Sequence, residues 1–153
     1  MLRSVWELWM DEALREAQAS SHQGDVPIGA VLLDSQGKLI VAGGNRREQD
    51  HDPSAHAEIV VLRAAGQKLK KWRFPDATLI VTLEPCAMCA GAILQARVKR
   101  LVYGADDPKA GAVRTVANLP DSPLSFHHLE VVAGIRESAC RILLQDWFKN
   151  SVR

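Results

Sequence analysis

The chain has 153 residues, 47% of them apolar and 24% charged, with three cysteines and a formal net charge of +1. That composition is ordinary for a globular domain with a real core. It excludes a low-complexity or disulfide-framework protein, and the small net charge excludes a strongly basic nucleic-acid footprint, so any such contact must come from local patches.

In chain order, residues 5–20 predict an amphipathic helix, with Ser4 as N-cap and Trp6, Met10, Ala13, Leu14 and Ala17 at helical spacing. Acidic residues at 7, 11 and 12 interrupt the N-terminus too early for a signal-peptide apolar core. Residues 26–33 and 38–42 predict two strands joined by a turn at 34–37, a hairpin. Gly43 and Gly44 are expected to carry the chain out of the sheet in a conformation suited to glycine, and Asn45 reads first as a turn residue. A polar loop over 46–52 leads to a helix opened by Pro53 and Ser54 and running to about 68. The basic cluster at 68–73 reads as a solvated helix end ahead of a phosphate contact.

The nearly all-apolar run at 77–83 predicts a central strand buried on both faces. A helix follows from Cys86 to Ala96, then a strand over 97–104 and a charged turn over 106–111. Residues 112–127 carry no clear pattern. A fifth strand is expected over 129–133, Gly134 breaks it, and residues 137–148 predict a final helix with Cys140, Leu143, Leu144 and Trp147 as its apolar stripe. No repeat or linker is visible and no apolar run reaches membrane-spanning length. The expectation is a single domain over 1–153: a three-layer α/β/α sandwich around a mostly parallel five-stranded sheet. The expected compartment is the cytoplasm, because a C-x-x-C pair and one further cysteine suit a reducing environment.

Two short motifs carry the chemistry. Cys86 and Cys89 form a C-x-x-C pair behind Pro85 at a predicted helix start. Alone, such a pair is equally a redox pair, half of a structural zinc site, or chance. Cys140 lies far away in a helical stripe, so a four-cysteine site cannot be built. His56-Ala57-Glu58 supplies the complement. One nitrogen and two sulfurs make three zinc ligands and leave a fourth tetrahedral position for water, the mark of a catalytic rather than a structural site. Residues two apart on a helix diverge, so His56 and Glu58 converge only at a helix N-terminus. Glu58 would then meet the water rather than the metal and shuttle its proton, which suits hydrolytic deamination.

H-A-E with P-C-x-x-C is the signature of zinc-dependent nucleobase deaminases. The stretches HDPSAHAEI from His51, VTLEPCAMCAGA from Val81 and YGADDPKAGA from Tyr103 resemble the bacterial tRNA-specific adenosine deaminases, and the resemblance runs over about 5–148. It implies a cytidine deaminase-like fold, one zinc per chain, and a homodimer. It implies conversion of the wobble adenosine of a tRNA anticodon stem-loop to inosine. It implies that Asn45 hydrogen-bonds the purine, that Asp106, Asp107 and Lys109 line the RNA cleft, and that Phe148, beside Trp147, packs near the anticodon. The zinc motifs are shared with guanine, cytosine and cytidine deaminases, so deamination of a free base or nucleoside is the alternative. A non-catalytic zinc RNA-binding subunit is a further one, and a structural zinc module with no RNA role the last. The chain departs from the family pattern after Ala112, where Val113, Arg114, Thr115 and Val116 replace the usual glycine and serine before a leucine. It departs again at Phe126-His127-His128, where Asn-His is frequent. Only Lys149 and Arg153 are basic after Phe148. These departures bear on RNA affinity and tRNA choice, not on the zinc chemistry.

Overall fold

The computed structural model describes residues 2–151; Arg153, named above for its charge, lies outside them. The elements are α1 (Arg3–His22), β1 (Gly29–Leu33), β2 (Leu39–Gly44), α2 (Arg47–Asp50), α3 (Ala57–Leu69), β3 (Thr78–Leu83), α4 (Ala87–Gln95), β4 (Arg100–Ala105), β5 (Glu130–Val132) and α5 (Glu137–Asn150). The sheet order is β2-β1-β3-β4-β5. β1 pairs antiparallel with both β2 and β3, while β3–β4 and β4–β5 are parallel. Four of the five strands therefore run one way and β1 alone opposes them.

The sheet is the middle of three layers, and the alternation of its side chains builds two cores. Ala30 and Leu32 of β1, Leu79 and Val81 of β3 and Leu101 and Tyr103 of β4 face α3 and α4. Val31, Leu33, Ile80 and Val102 face α1 and α5, where Met10, Ala13 and Cys140 meet them. Each fully buried Leu, Ile or Val contributes about 1.5–3 kcal/mol to holding the layers together. This is why 77–83 reads as continuously apolar: both faces of β3 are covered.

Three expectations about element ends are corrected. The first helix starts at Arg3 with Leu2 as N-cap and no side-chain cap bond, so Ser4 lies inside it. Pro53 and Ser54 do not open a helix; Asp52 Oδ1 accepts hydrogen bonds from Ser54 N (2.9 Å) and its hydroxyl (2.7 Å), making a turn. Gly43 and Gly44 stay in β2. Glycine is required at 44 because α1 crosses there: a Cβ would run into the Ser20 hydroxyl and the Glu16 carbonyl. The same close crossing sets Gly29, whose Cβ would strike the backbone of Ala13 and Ala17. Among the described residues, no helix is long and apolar enough to cross a membrane.

The strand directions place the site. β2, β3 and β4 end at one edge, where the chain continues into Asn45, Glu84 and Asp106 respectively. β1 runs the other way, so its entry at Val26 and Ile28 meets the same edge. The carboxyl edge of such a sheet is where open α/β folds bind ligands.

Candidate metal centre and substrate cavity

Two helices aim their N-termini at this edge. His56 is the N-cap of α3, in extended conformation (φ −65°, ψ 156°), and Glu58 sits on the first turn. Cys86 is the N-cap of α4 (φ −74°, ψ 178°), and Cys89 lies on its first turn. The partial positive charge of both helix ends favours thiolate and carboxylate there. His56 and Glu58, two residues apart, converge because His56 precedes the helix proper and hangs over its end.

His56 Nδ1 lies 3.5 Å from Cys86 Sγ and 3.4 Å from Cys89 Sγ. All three ligand atoms fall within 4.8 Å of one another. A tetrahedron with zinc–sulfur bonds of 2.3 Å and zinc–nitrogen bonds near 2.1 Å has nitrogen–sulfur edges of about 3.6 Å. The observed edges match that figure, and the donors are the borderline-soft set zinc takes. These three residues would hold one Zn2+ per chain.

The electrostatics fit the same use. The Cys86 thiol is brought down to about 3, first by its hydrogen bond with Cys89 and then by His56. Cys86 in turn raises Cys89, so the pair carries one ready thiolate. The bond to Cys86 also raises His56. Glu58 is only 4% exposed. Burial pushes its carboxyl up to about 7, against smaller opposing contributions from a backbone hydrogen bond, the charge of His56 and a hydrogen bond with Cys89. A carboxyl poised near neutrality can both accept and return a proton.

His56, Glu58 and Cys86 line a cavity of about 750 Å³, with Cys89 fully buried. Asn45, Asp106, Asp107, Lys109 and Phe148 all line it. Asn45 is buried; its Nδ2 donates to the Val26 carbonyl (3.3 Å) and its Oδ1 accepts from Arg47 N (3.2 Å). Those bonds fix the amide and leave one N–H and one lone pair free. Asp106 Oδ1 accepts from the Tyr103 hydroxyl (2.9 Å). Asp107 Oδ1 accepts from the backbone of Lys109 (3.0 Å) and Ala110 (3.2 Å), so it shapes the turn that presents Lys109. Phe148 is 56% exposed and packs edge-on against Trp147 at 5.1 Å. Phe126 and His127 do not line the cavity: Phe126 lies under the Arg97 guanidinium (4.7 Å) and His127 Nε2 bonds the Val98 carbonyl (2.6 Å).

Sequence reasoning missed Arg47, Arg141 and Glu84, all of which line the cavity. It also missed Asp25, which is 1% exposed and accepts from Glu48 N (2.7 Å) and from Gln49 Nε2 (3.0 Å), pinning α2 and with it Arg47. Glu84 is equally buried. Desolvation acts most strongly on it and pushes its pKa up, but the Thr115 hydroxyl and the backbone amides of Arg114, Thr115 and Asp107 together hold it below the usual carboxylate value. The available signal for both was an acidic residue directly beside an apolar strand.

The MafB19-like deaminase family matches residues 5–150. The tRNA-specific adenosine deaminase of Bacillus subtilis is 45% identical over 143 residues, covering 94% of this chain and 88% of that protein. That of Agrobacterium fabrum is 45% identical over 92% of both. A solved structure from work on A-to-I editing by tRNA:A34 deaminases superposes with a TM-score of 0.86 at 46% identity, covering 89% of this chain and 98% of that one. The guanine deaminase of Nitrosomonas europaea superposes with a TM-score of 0.78 at 27% identity, covering 92% and 83%. Fold, ligand set and sequence agree: this chain belongs to the zinc-dependent deaminases, in the family of the tRNA-specific adenosine deaminases.

Proposed function

We propose that this chain, as a single domain, hydrolyses the wobble adenosine of a tRNA anticodon stem-loop to inosine. The observation that carries the reading is the placement of His56 and Glu58 together at the N-terminus of α3, beside two thiols on the N-terminus of α4, with His56, Glu58 and Cys86 lining one cavity. The relatives at 45–46% identity are named for tRNA adenosine deamination, which favours RNA over the free base of the more distant guanine deaminase.

Bound by His56, Cys86 and Cys89, zinc supplies a Lewis acid that makes water nucleophilic near neutral pH. Glu58 does the proton work. Its carboxylate takes one proton from the attacking water as the new bond forms at purine C6 and delivers it to N1. It then takes the remaining proton from the C6 hydroxyl and passes it to the amino group, so that the C6–N bond breaks, ammonia leaves and the C6 carbonyl of inosine forms. Asn45 holds the purine with its free amide hydrogen. A base in an anticodon loop is already partly unstacked, so drawing it into the cavity costs less than from a duplex. Asp106, Asp107, Lys109 and Phe148 form the rim against the loop nucleotides, with Phe148 offering an aromatic face.

The rim also carries Arg47 and Lys109, both exposed and neither in an ion pair among the described residues. Two cations on a single-stranded loop predict a log–log salt slope of roughly −1.4, so hairpin affinity falls about sevenfold between about 50 and 200 mM salt. Fluorescence anisotropy with a labelled anticodon hairpin measures it; a flat response would argue for a free base as substrate.

The reading includes a homodimer in the cytoplasm. An open groove of about 650 Å³ on the outer face of α3 and α4, lined by Ile59, Leu62, Trp72, Phe74 and Ala92, supports the first; sedimentation as a monomer would remove it. Three free cysteines support the second; a Cys86–Cys89 disulfide in protein isolated without reductant would count against it.

A further inference from the structure

We infer that Glu84 is a positioning residue: its buried carboxylate holds the 107–115 loop in the shape that receives the RNA nucleotide and ties that loop to the turn carrying Cys86. The inference rests on the proposed RNA reading of the cavity.

Glu84 follows the last residue of β3 and precedes Pro85 and Cys86. It is 1% exposed, and no ion pair with it is present among the described residues. Its partners are hydrogen-bond donors from one loop. Oε1 accepts from Asp107 N (3.1 Å) and from the Thr115 hydroxyl. Oε2 accepts from Val113 N (3.2 Å), Arg114 N (2.8 Å) and Thr115 N (2.9 Å). Five donors converge on two oxygens, which is the arrangement of a backbone nest around an anion. With both oxygens engaged, the group is not placed to move protons, and it lies outside the metal cluster.

The bonds come from both ends of the loop. Asp107 holds the near end and residues 113–115 the far end, so the turn between them, which projects Lys109 to the rim, is clamped at its base. Gly111 lies against the carboxylate, where any side chain would collide with it. Two backbone bonds complete the clamp: Glu84 N donates to the Ala105 carbonyl (2.9 Å) and Ala112 N to the Pro85 carbonyl (2.9 Å). Cys86 and the rim therefore share one anchor. The hydroxyl at Thr115 is part of it, and a serine there would serve equally.

Three variants test this: Glu84→Gln, Thr115→Val and Thr115→Ser. Glutamine has the shape but turns an N–H2 toward N–H donors. Valine removes only the hydroxyl, and serine keeps it. With a wobble-adenosine hairpin as substrate, Thr115→Val should raise KM about tenfold and Glu84→Gln about 100-fold, with kcat within about threefold of wild type, losses on the scale of one and two charge-assisted bonds. Thr115→Ser should behave as wild type. Zinc should stay at one ion per chain in all three. Hydrogen exchange at the amides of residues 107 and 113–115 should accelerate in the two damaging variants and not in Thr115→Ser. An unchanged KM in Thr115→Val, with its loop amides protected as in wild type, would overturn the inference without needing Glu84→Gln to fold. A fall in kcat or zinc at constant KM would overturn it too. If wild type itself leaves the hairpin untouched, the RNA reading fails instead, and the exchange rates alone decide the anchoring.

Discussion

Replacing Glu58 with glutamine lowers turnover of an adenosine hairpin by about 10⁴-fold, the upper range for loss of general acid–base catalysis, and leaves one zinc per chain. Glutamine keeps the shape and the place on the first turn of α3 but cannot take up or return a proton. Glu58 is positioned with His56 and the two thiols, yet it is not one of the three clustered ligands, so metal content and rate separate. Stability separates as well. Burial raises the Glu58 carboxyl to about 7, above its ordinary value, so the folded protein binds this proton more tightly than the unfolded chain. The stability it contributes is complete below the ordinary carboxylate value and is lost as pH rises through 7. In the metal-free protein at pH 8 the charged form is a cost that glutamine removes, and the metal-free variant should melt no lower than metal-free wild type. Metal analysis, single-turnover kinetics and a thermal scan check all three; near-normal turnover would remove Glu58 from the proton pathway.

The second large effect is on the metal itself. Cys86→Ala, and separately His56→Ala, should reduce zinc from one ion per chain to near zero, abolish deamination and lower Tm. The three ligands come from α3 and α4, so the ion links two helices packed on one face of the sheet. A site filled at about 1,000 times its Kd adds about 4 kcal/mol of linkage, or roughly 10 °C for a chain of this size. A chelator should lower the wild-type Tm by the same amount and leave Cys86→Ala unmoved. Retention of one zinc per chain in Cys86→Ala would exclude that ligand.

The parts of this molecule governed by short-range pattern were legible in its sequence. The apolar run at 77–83 marks β3 because both faces of that strand are covered. The two metal motifs mark helix starts because N-terminal dipoles and ligand chemistry reinforce each other at His56 and Cys86. The four-against-one strand pattern needed more: β3 returns beside β1 rather than β2, a choice of long-range pairing that the hairpin alone does not state. The stretch 112–127 was opaque for a clearer reason. Its first residues are held by backbone N–H groups bonded to a carboxylate about 30 positions earlier, which leaves no periodicity to read. The departure at Thr115 proves to supply a hydroxyl to that carboxylate. The departure at Phe126 lies away from the cavity, stacked on Arg97.

The measurement that bears most directly on the whole account is an inosine assay by mass spectrometry. Zinc-loaded protein is given an anticodon stem-loop with adenosine at the wobble position, and in parallel free adenosine, guanine, cytosine and cytidine. Inosine formed at the wobble position of the stem-loop, with the free compounds unchanged, is the predicted result. Ammonia released from a free base or nucleoside while the stem-loop stays intact would contradict the tRNA assignment and leave the zinc chemistry standing.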